Sequence, residues 1–184
     1  MAASRTEIRL SGSGGQGMIL GAIILAEAAC IYGDKNACQS QSYGPEARGG
    51  SSKSDVVISN GVIDYPKATK LDVLLAMTQE AANKYSRDLR PDGLLVVDED
   101  YVLEPPEGEF QLVKLPIMRL ATETVGKAVV ANIVALGALQ TLTDLVTEDG
   151  LRQAVLSRVP KGTEAINSKA LEVGKKAASN YVGN

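Results

Sequence analysis

The chain has 184 residues, 45% hydrophobic, 22% charged and 4% aromatic, a size and balance that suit one domain, residues 1–184, with a real core. It contains no histidine and only two cysteines, which excludes Ser-His-Asp and Cys-His catalysis and leaves no four-thiolate zinc or iron–sulfur site. Its formal charge of −3 argues against a nucleic-acid partner, which ordinarily demands a basic face.

The first ten residues carry Arg5, Glu7 and Arg9 and show no secretory leader. Ile8 and Leu10 alternate with charged neighbours, so residues 6–11 read as a strand. The turn Gly12-Ser13-Gly14-Gly15-Gln16-Gly17 follows, then a buried helix over 17–32 with Gly33 as its stop. The apolar run from Met18 to Ala29 includes Glu27 and is too short to cross a bilayer. Cys30 on this helix reads as a small core residue, and Cys38 as the exposed thiol. The pair fits no CxxC pattern, so reduced thiols and a cytoplasmic setting are expected.

Residues 36–54 are rich in Ser, Gln and Gly with little apolar periodicity, and read as a long functional loop. Val56, Val57 and Ile58 make a strand, and Asn60-Gly61 is a hairpin turn into Val62 and Ile63. Leu71 to Met77 is a strand buried on both faces. Thr78 caps a helix over 79–88, ended by Pro91 and Gly93. Short strands follow at 94–97 and 111–115, with a loop at Pro105-Pro106-Glu107-Gly108 between them. The remainder reads as helices over 117–125, 127–143, 148–157 and 164–179, with Thr147 capping the third. Apolar strands alternating with helices predict an α/β fold, a three-layer α/β/α domain around a parallel or mixed sheet. The Asn60-Gly61 hairpin favours the mixed form.

Gly12 to Gly17 matches GxGxxG, a pattern whose glycines let the backbone approach a ligand while the next helix offers free N–H groups to an anion. Alone the motif is weak. A dinucleotide site also needs a second strand ending in an acid, and Asp34 follows no strand. A tight turn packing helix on strand, or an anion contact shared with a partner chain, fits equally. No GxxxxGK[ST] loop is present, which excludes a P-loop hydrolase.

Tyr43-Gly44-Pro45-Glu46-Ala47-Arg48-Gly49-Gly50 places a hydroxyl, a carboxylate and a guanidinium in one short turn. Arg48 suits bidentate recognition of a carboxylate or phosphate, oriented by Glu46, with Lys53 as an assisting point charge. A solvated loop with an internal ion pair is the plainer reading. Tyr43 either donates a hydrogen bond at the site or anchors the loop. Asn132 lies in an apolar helix, where its amide needs a partner: a backbone group of the glycine turn, another chain or a local group.

The order GSGGQG, an apolar helix, QSYGPEARGGSSKSDVVIS and Tyr65-Pro66 resembles the gamma subunit of 2-oxoacid:ferredoxin oxidoreductases. The resemblance continues through Ala131-Asn132-Ile133-Val134-Ala135-Leu136-Gly137-Ala138 and covers about residues 7–180. The form QSQSYGPEARGG followed by SKSDVVIS is more similar to the 2-oxoglutarate branch than to the pyruvate branch. These are thiamine-diphosphate enzymes that convert 2-oxoacids to acyl-coenzyme A, release CO2 and reduce ferredoxin. The resemblance implies that thiamine diphosphate, its Mg ion and the iron–sulfur clusters reside in partner alpha, beta and delta subunits. The thiamine GDG…N pattern is missing here, since Asp92-Gly93 lacks the preceding glycine.

The chain is then a subunit that is not catalytic alone, without metal ligands or catalytic residues of its own. The resemblance assigns cofactor-region contacts to Gly12, Gly14, Gly15, Gln16, Gly17, Tyr43, Gly44, Pro45, Glu46, Arg48, Gly49 and Asn132. They would line the approach of coenzyme A or of the partner chains. An isolated chain of this kind is expected to form a homodimer through the surface meant for partners. A stand-alone dinucleotide- or nucleotide-binding regulatory module, and a purely structural assembly subunit, are the competing readings.

Overall fold

In the computed structural model, which describes residues 5–43 and 51–181, the alternation at the start of the chain forms β1 (Arg5–Ser13). Its even-numbered side chains Ile8 and Leu10 are buried beneath α1 (Met18–Cys30), and its odd-numbered ones face the other side of the sheet. β1 exceeds the predicted 6–11 because β3 (Ser51–Ser59) pairs with it along its full length.

The sheet has six strands in the order β2-β3-β1-β4-β5-β6. β4 (Leu71–Ala76), β5 (Leu89–Asp98) and β6 (Gln111–Leu115) continue from β1 in parallel. β3 runs antiparallel to β1, and β2 (Asn36–Tyr43) antiparallel to β3. The sheet is therefore mixed, as expected, but through a different hairpin. Residues 36–43, read as loop, form the edge strand β2. The predicted strand at Val62-Ile63 is absent: Val62 is 82% exposed, and the Asn36 amide ties down the Gly61 carbonyl instead.

Helices cover both faces. One face carries Ile8, Leu10, Val56, Ile58, Leu75 and Val96 against α1 and the C-terminal helices. The other carries Leu74, Ala76, Leu95 and Val97 against Ala81, Ala82 and Tyr85 of α2 (Gln79–Tyr85). Thr78 caps α2 as predicted, its side chain accepting from the Ala81 N–H. A 3₁₀ turn at Ser86–Asp88 completes the predicted 79–88. Pro91 and Gly93 do not end that helix. They lie inside β5, where the ladder to β4 shifts register and Asp92 adopts φ +63°.

α3 (Ile117–Arg119) passes into a π-helical stretch, Leu120–Val125, ended by Gly126 at φ +101°. α4 (Ala131–Thr143), α5 (Glu148–Arg158) and α6 (Glu164–Ala178) follow. Thr147 caps α5 by accepting from the Gly150 N–H. α4 and α6 approach through Gly137 and Gly174. A Cβ at Gly137 would sit 3.0 Å from the Leu171 Cα, and one at Gly174 would sit 3.0 Å from the Ala138 nitrogen. Cys30 is exposed at the end of α1 and Cys38 is half-buried in β2, the reverse of the predicted ranking.

Candidate functional site

β1 leads into α1 on one face of the sheet, and its parallel neighbour β4 leads into α2 on the other. Where successive connections part to opposite faces, a crevice opens at the carboxyl ends of the strands. The glycine turn occupies that place. Gly15 and Gly17 adopt φ +94° and +75°, a region that glycine enters without strain. Gly17 is also the N-cap of α1, and no side chain caps this helix. Its first amides are therefore offered to whatever enters the crevice.

Two side chains fix the turn. The Gln16 Oε1 accepts from the Ser13 N–H at 2.8 Å, and its Nε2 reaches the Met77 carbonyl at 3.5 Å, bridging the tips of β1 and β4. Asn132, in the first turn of α4, donates to the Gly17 carbonyl at 3.3 Å, while its Oδ1 accepts from the Ile133 N–H at 3.0 Å. Of the partners considered for Asn132, the amide takes a glycine-turn backbone group and a local one. Packing explains the glycines beside it: a Cβ at Gly17 would lie 2.6 Å from the Asn132 Nδ2, and one at Gly12 would lie 3.0 Å from the Met77 Cβ.

The second predicted segment emerges at the same end of the sheet. Ser13 is paired with Ser51 and Gly12 with Ser52, and Ser52 in turn pairs with Tyr43. The Ser11 hydroxyl donates to the Ser52 carbonyl at 3.1 Å, binding the strands just below. Ser51, which follows residues 44–50 in the chain, is thus paired at the start of the glycine turn. Gly44, Pro45, Glu46, Arg48 and Gly49 themselves lie outside the described residues. Tyr43 is the last residue of β2, and Gly14 and Gly15 are solvent-exposed in the turn.

For a dinucleotide unit the arrangement lacks a needed part. The strand after α1 is β2, which is separated from β1 by β3, and Asp34 is exposed before it. The parallel neighbour of β1 is β4, which runs into Met77 and Thr78 with no carboxylate at its tip. Among the described residues no group of three or more His, Cys, Asp and Glu side chains is arranged to hold a metal ion. No described helix is long and apolar enough to cross a membrane.

A buried charge network went unread in the sequence. The Arg9 Nε and Nη2 contact Asp55 at 2.6 and 2.9 Å, its Nη1 contacts Asp88 at 2.5 Å, and its guanidinium lies 4.9 Å from the Tyr85 ring centre. Burial works against the charge on Arg9, but both carboxylates outweigh it and hold the pKa above the ordinary arginine value. The available signal was the period-two row Arg5, Glu7, Arg9, which places three charges on one sheet face. At the carboxyl end of β5, Asp98 is wholly buried and accepts from the Met118 and Asp100 amides at 2.8 and 3.1 Å. Burial pushes its carboxyl above the usual range against those hydrogen bonds, with Glu99 and Asp100 adding to the rise.

The sequence profile described as pyruvate ferredoxin/flavodoxin oxidoreductase matches residues 7–177. The 2-oxoglutarate synthase subunit KorC of Methanocaldococcus jannaschii is 50% identical over 177 residues, spanning 93% of this chain and 95% of that protein. The gamma subunit of a keto/oxoacid ferredoxin oxidoreductase from Geobacter sulfurreducens PCA superposes with a TM-score of 0.90 at 51% identity, over 96% of this chain and 98% of that one. A 2-oxoglutarate:ferredoxin oxidoreductase from Magnetococcus marinus, with 2-oxoglutarate, coenzyme A and succinyl-CoA bound, shares the fold at TM-score 0.85 and 24% identity. The likeness covers 96% of this chain and 31% of that one.

Proposed function

Because this chain belongs to the pyruvate ferredoxin/flavodoxin oxidoreductase family, as a gamma-type subunit, we propose that it serves a complex oxidising 2-oxoglutarate to succinyl-coenzyme A. Carbon dioxide leaves and electrons pass to ferredoxin. The 50% identity with a 2-oxoglutarate synthase subunit over nearly the full length of both chains supports the choice of substrate. The partners in this reading are the alpha, beta and delta subunits, with ferredoxin as acceptor for the complex.

Two cysteines do not fit a cluster site and the GDG…N pattern for thiamine diphosphate and Mg is missing, so in this reading those cofactors and the iron–sulfur clusters belong to the partner chains. When bound there, these cofactors supply the decarboxylation and electron-transfer chemistry. The role left to this chain is recognition and positioning. The uncapped amides of α1 attract an anionic group, and the glycines let its backbone come close. Arg48, in the sequence between Tyr43 and Ser51, supplies a guanidinium fork for the same group. Gln16 and Asn132 hold the turn in place by the hydrogen bonds they make to it. The group recognised belongs to coenzyme A, to the 2-oxoacid or to a facing partner chain.

The observation that supports this reading is the pairing of Ser13, at the start of the glycine turn, with Ser51, the first described residue after Arg48. Arg48→Ala in the assembled complex should raise the KM for coenzyme A or for the 2-oxoacid while leaving assembly intact. Unchanged kinetics in an intact complex would contradict the ligand role. Loss of the complex without a selective kinetic change would favour a purely structural subunit.

A further inference from the structure

On the sheet face turned away from α1, a cleft of about 330 Å³ opens over β1, β3 and β2, distinct from the glycine turn. Register alone builds its floor. Arg9, Asp55 and Ser40 form one rung across the three strands, and Ser11, Lys53 and Ser42 form the next but one position along. Side chains two apart on a strand share a face, so these rungs point the same way, with neighbouring strands about 4.8 Å apart. Lys67 and Ala68 form a further wall.

That wall is held by the charged row on β1. The Arg5 Nη2 donates to the Lys67 carbonyl at 3.0 Å, and the Glu7 Oε2 accepts from the Thr69 and Lys70 amides at 2.5 and 2.9 Å. Arg5 and Glu7 are themselves paired at 2.8 Å. The backbone at Lys67 is thereby held beside the cleft that Lys53 also lines, and the Lys53 Nζ rests 5.6 Å from the Tyr85 ring centre.

The charge balance of the lining is uneven. Among the described lining residues Arg9, Lys53 and Lys67 are cationic and Asp55 alone is acidic; Asp55 and Asp88 already balance Arg9, which leaves the two lysines as the uncompensated charge. Among the described residues neither lysine forms a salt bridge. Arg9 is 4% exposed and uses three of its five N–H groups on Asp55 and Asp88, which leaves two donors unspent. A chain of net negative charge has gathered three cations and two hydroxyls, Ser40 and Ser42, around one opening.

We propose that this cleft is a binding site for a small phosphorylated ligand, with the phosphate held between Lys53 and Lys67 over the Arg9 guanidinium. The two lysines neutralise a phosphate dianion, and the unspent Arg9 N–H groups and the serine hydroxyls donate to its remaining oxygens. The volume accommodates a phosphate together with the small group that carries it.

The test is a titration of the isotope-labelled full chain with inorganic pyrophosphate at low salt, read by amide chemical shifts. Saturable shifts are expected at Ser40, Ser42, Lys53 and Lys67. Lys53→Ala and Lys67→Ala should each weaken binding by about tenfold, the size of a lost charge-assisted hydrogen bond, with the unfolding temperature unchanged. A dicarboxylate, succinate, should bind far more weakly. Three results would overturn the proposal: no saturable binding, succinate binding as tightly as pyrophosphate, or shifts confined to residues 13–20 and indifferent to both lysine substitutions. The last would leave the reading of the glycine turn standing, and the kinetics of Arg48→Ala are independent of this titration.

Discussion

Asn132 and Gly17 lie 115 positions apart, yet the Asn132 amide donates to the Gly17 carbonyl at 3.3 Å and fills the space where a Gly17 side chain would stand. The contact joins the start of α4 to the start of α1. Gly17→Ala must place a Cβ 2.6 Å from the Asn132 Nδ2 and hold a left-handed φ of +75°. The backbone strain alone costs about 1–2 kcal/mol. Asn132→Ala loses two hydrogen bonds, about 1 kcal/mol each. Urea unfolding of both single variants and the double variant checks this. The double variant should be less damaged than the sum of the two, because the clash disappears with the amide.

Gln16→Ala removes the bridge from the Ser13 amide to the Met77 carbonyl. Its expected cost to global stability is about 1 kcal/mol. Hydrogen exchange of the Ser13 amide should accelerate locally, while amides in the middle of β4 stay protected. Uniform acceleration throughout the sheet would show that the turn is held by something else.

The Arg9 network should respond as a unit. Asp55→Ala leaves a guanidinium that is 4% exposed with Asp88 as its remaining carboxylate, at a cost of about 3–5 kcal/mol. Replacing both charges, as in Arg9→Met with Asp55→Leu, should recover a large part of that loss. A denaturant double-mutant cycle measures the coupling. Additive losses would mean that the pair does not act as a compensated buried charge.

Glu7 and Asp98 predict opposite responses to pH. Burial pushes the Glu7 carboxyl up, but Arg5 and the Thr69 and Lys70 amides outweigh it and hold it below its ordinary value of 4.5. The native state therefore binds this proton less tightly than the unfolded chain. The stabilisation is complete above 4.5 and is lost as pH falls through the lower native value. For Asp98 the native pKa lies above the ordinary 3.8, so its penalty is absent below 3.8 and grows as pH rises to the native value. In urea unfolding across an acid pH series, Glu7→Gln should flatten the acid-side loss of stability. Asp98→Asn should remove a decline that the parent chain shows on rising pH.

The elements legible in the sequence are those marked by a continuous apolar run, or whose caps are local. α1, β4, Thr78 and Thr147 fall in this class, because an apolar run or a single hydroxyl carries the signal. β2 escaped because it is an edge strand whose residues, Asn36 to Tyr43, are mostly polar, so no alternation marks it. Its pairing comes from β3, a partner that a local reading does not see. Pro91 and Gly93 misled because they punctuate a register shift within β5 rather than a helix end. At the site, the glycine turn was legible from its motif. Gln16 and Asn132 were named as site residues, but their hydrogen-bond partners are set by tertiary contact. Arg9, Asp55 and Asp88 were missed because their pairing spans three distant segments.

The central claim is that this chain works as one subunit of a 2-oxoacid:ferredoxin oxidoreductase. The direct measurement is purification of the tagged full chain from its native source, followed by an assay of 2-oxoglutarate-dependent ferredoxin reduction with coenzyme A. Thiamine-binding and iron–sulfur chains should copurify, with activity in the complex and none in the separated chain. A chain recovered alone, or one that catalyses the reaction unaided, would contradict the account.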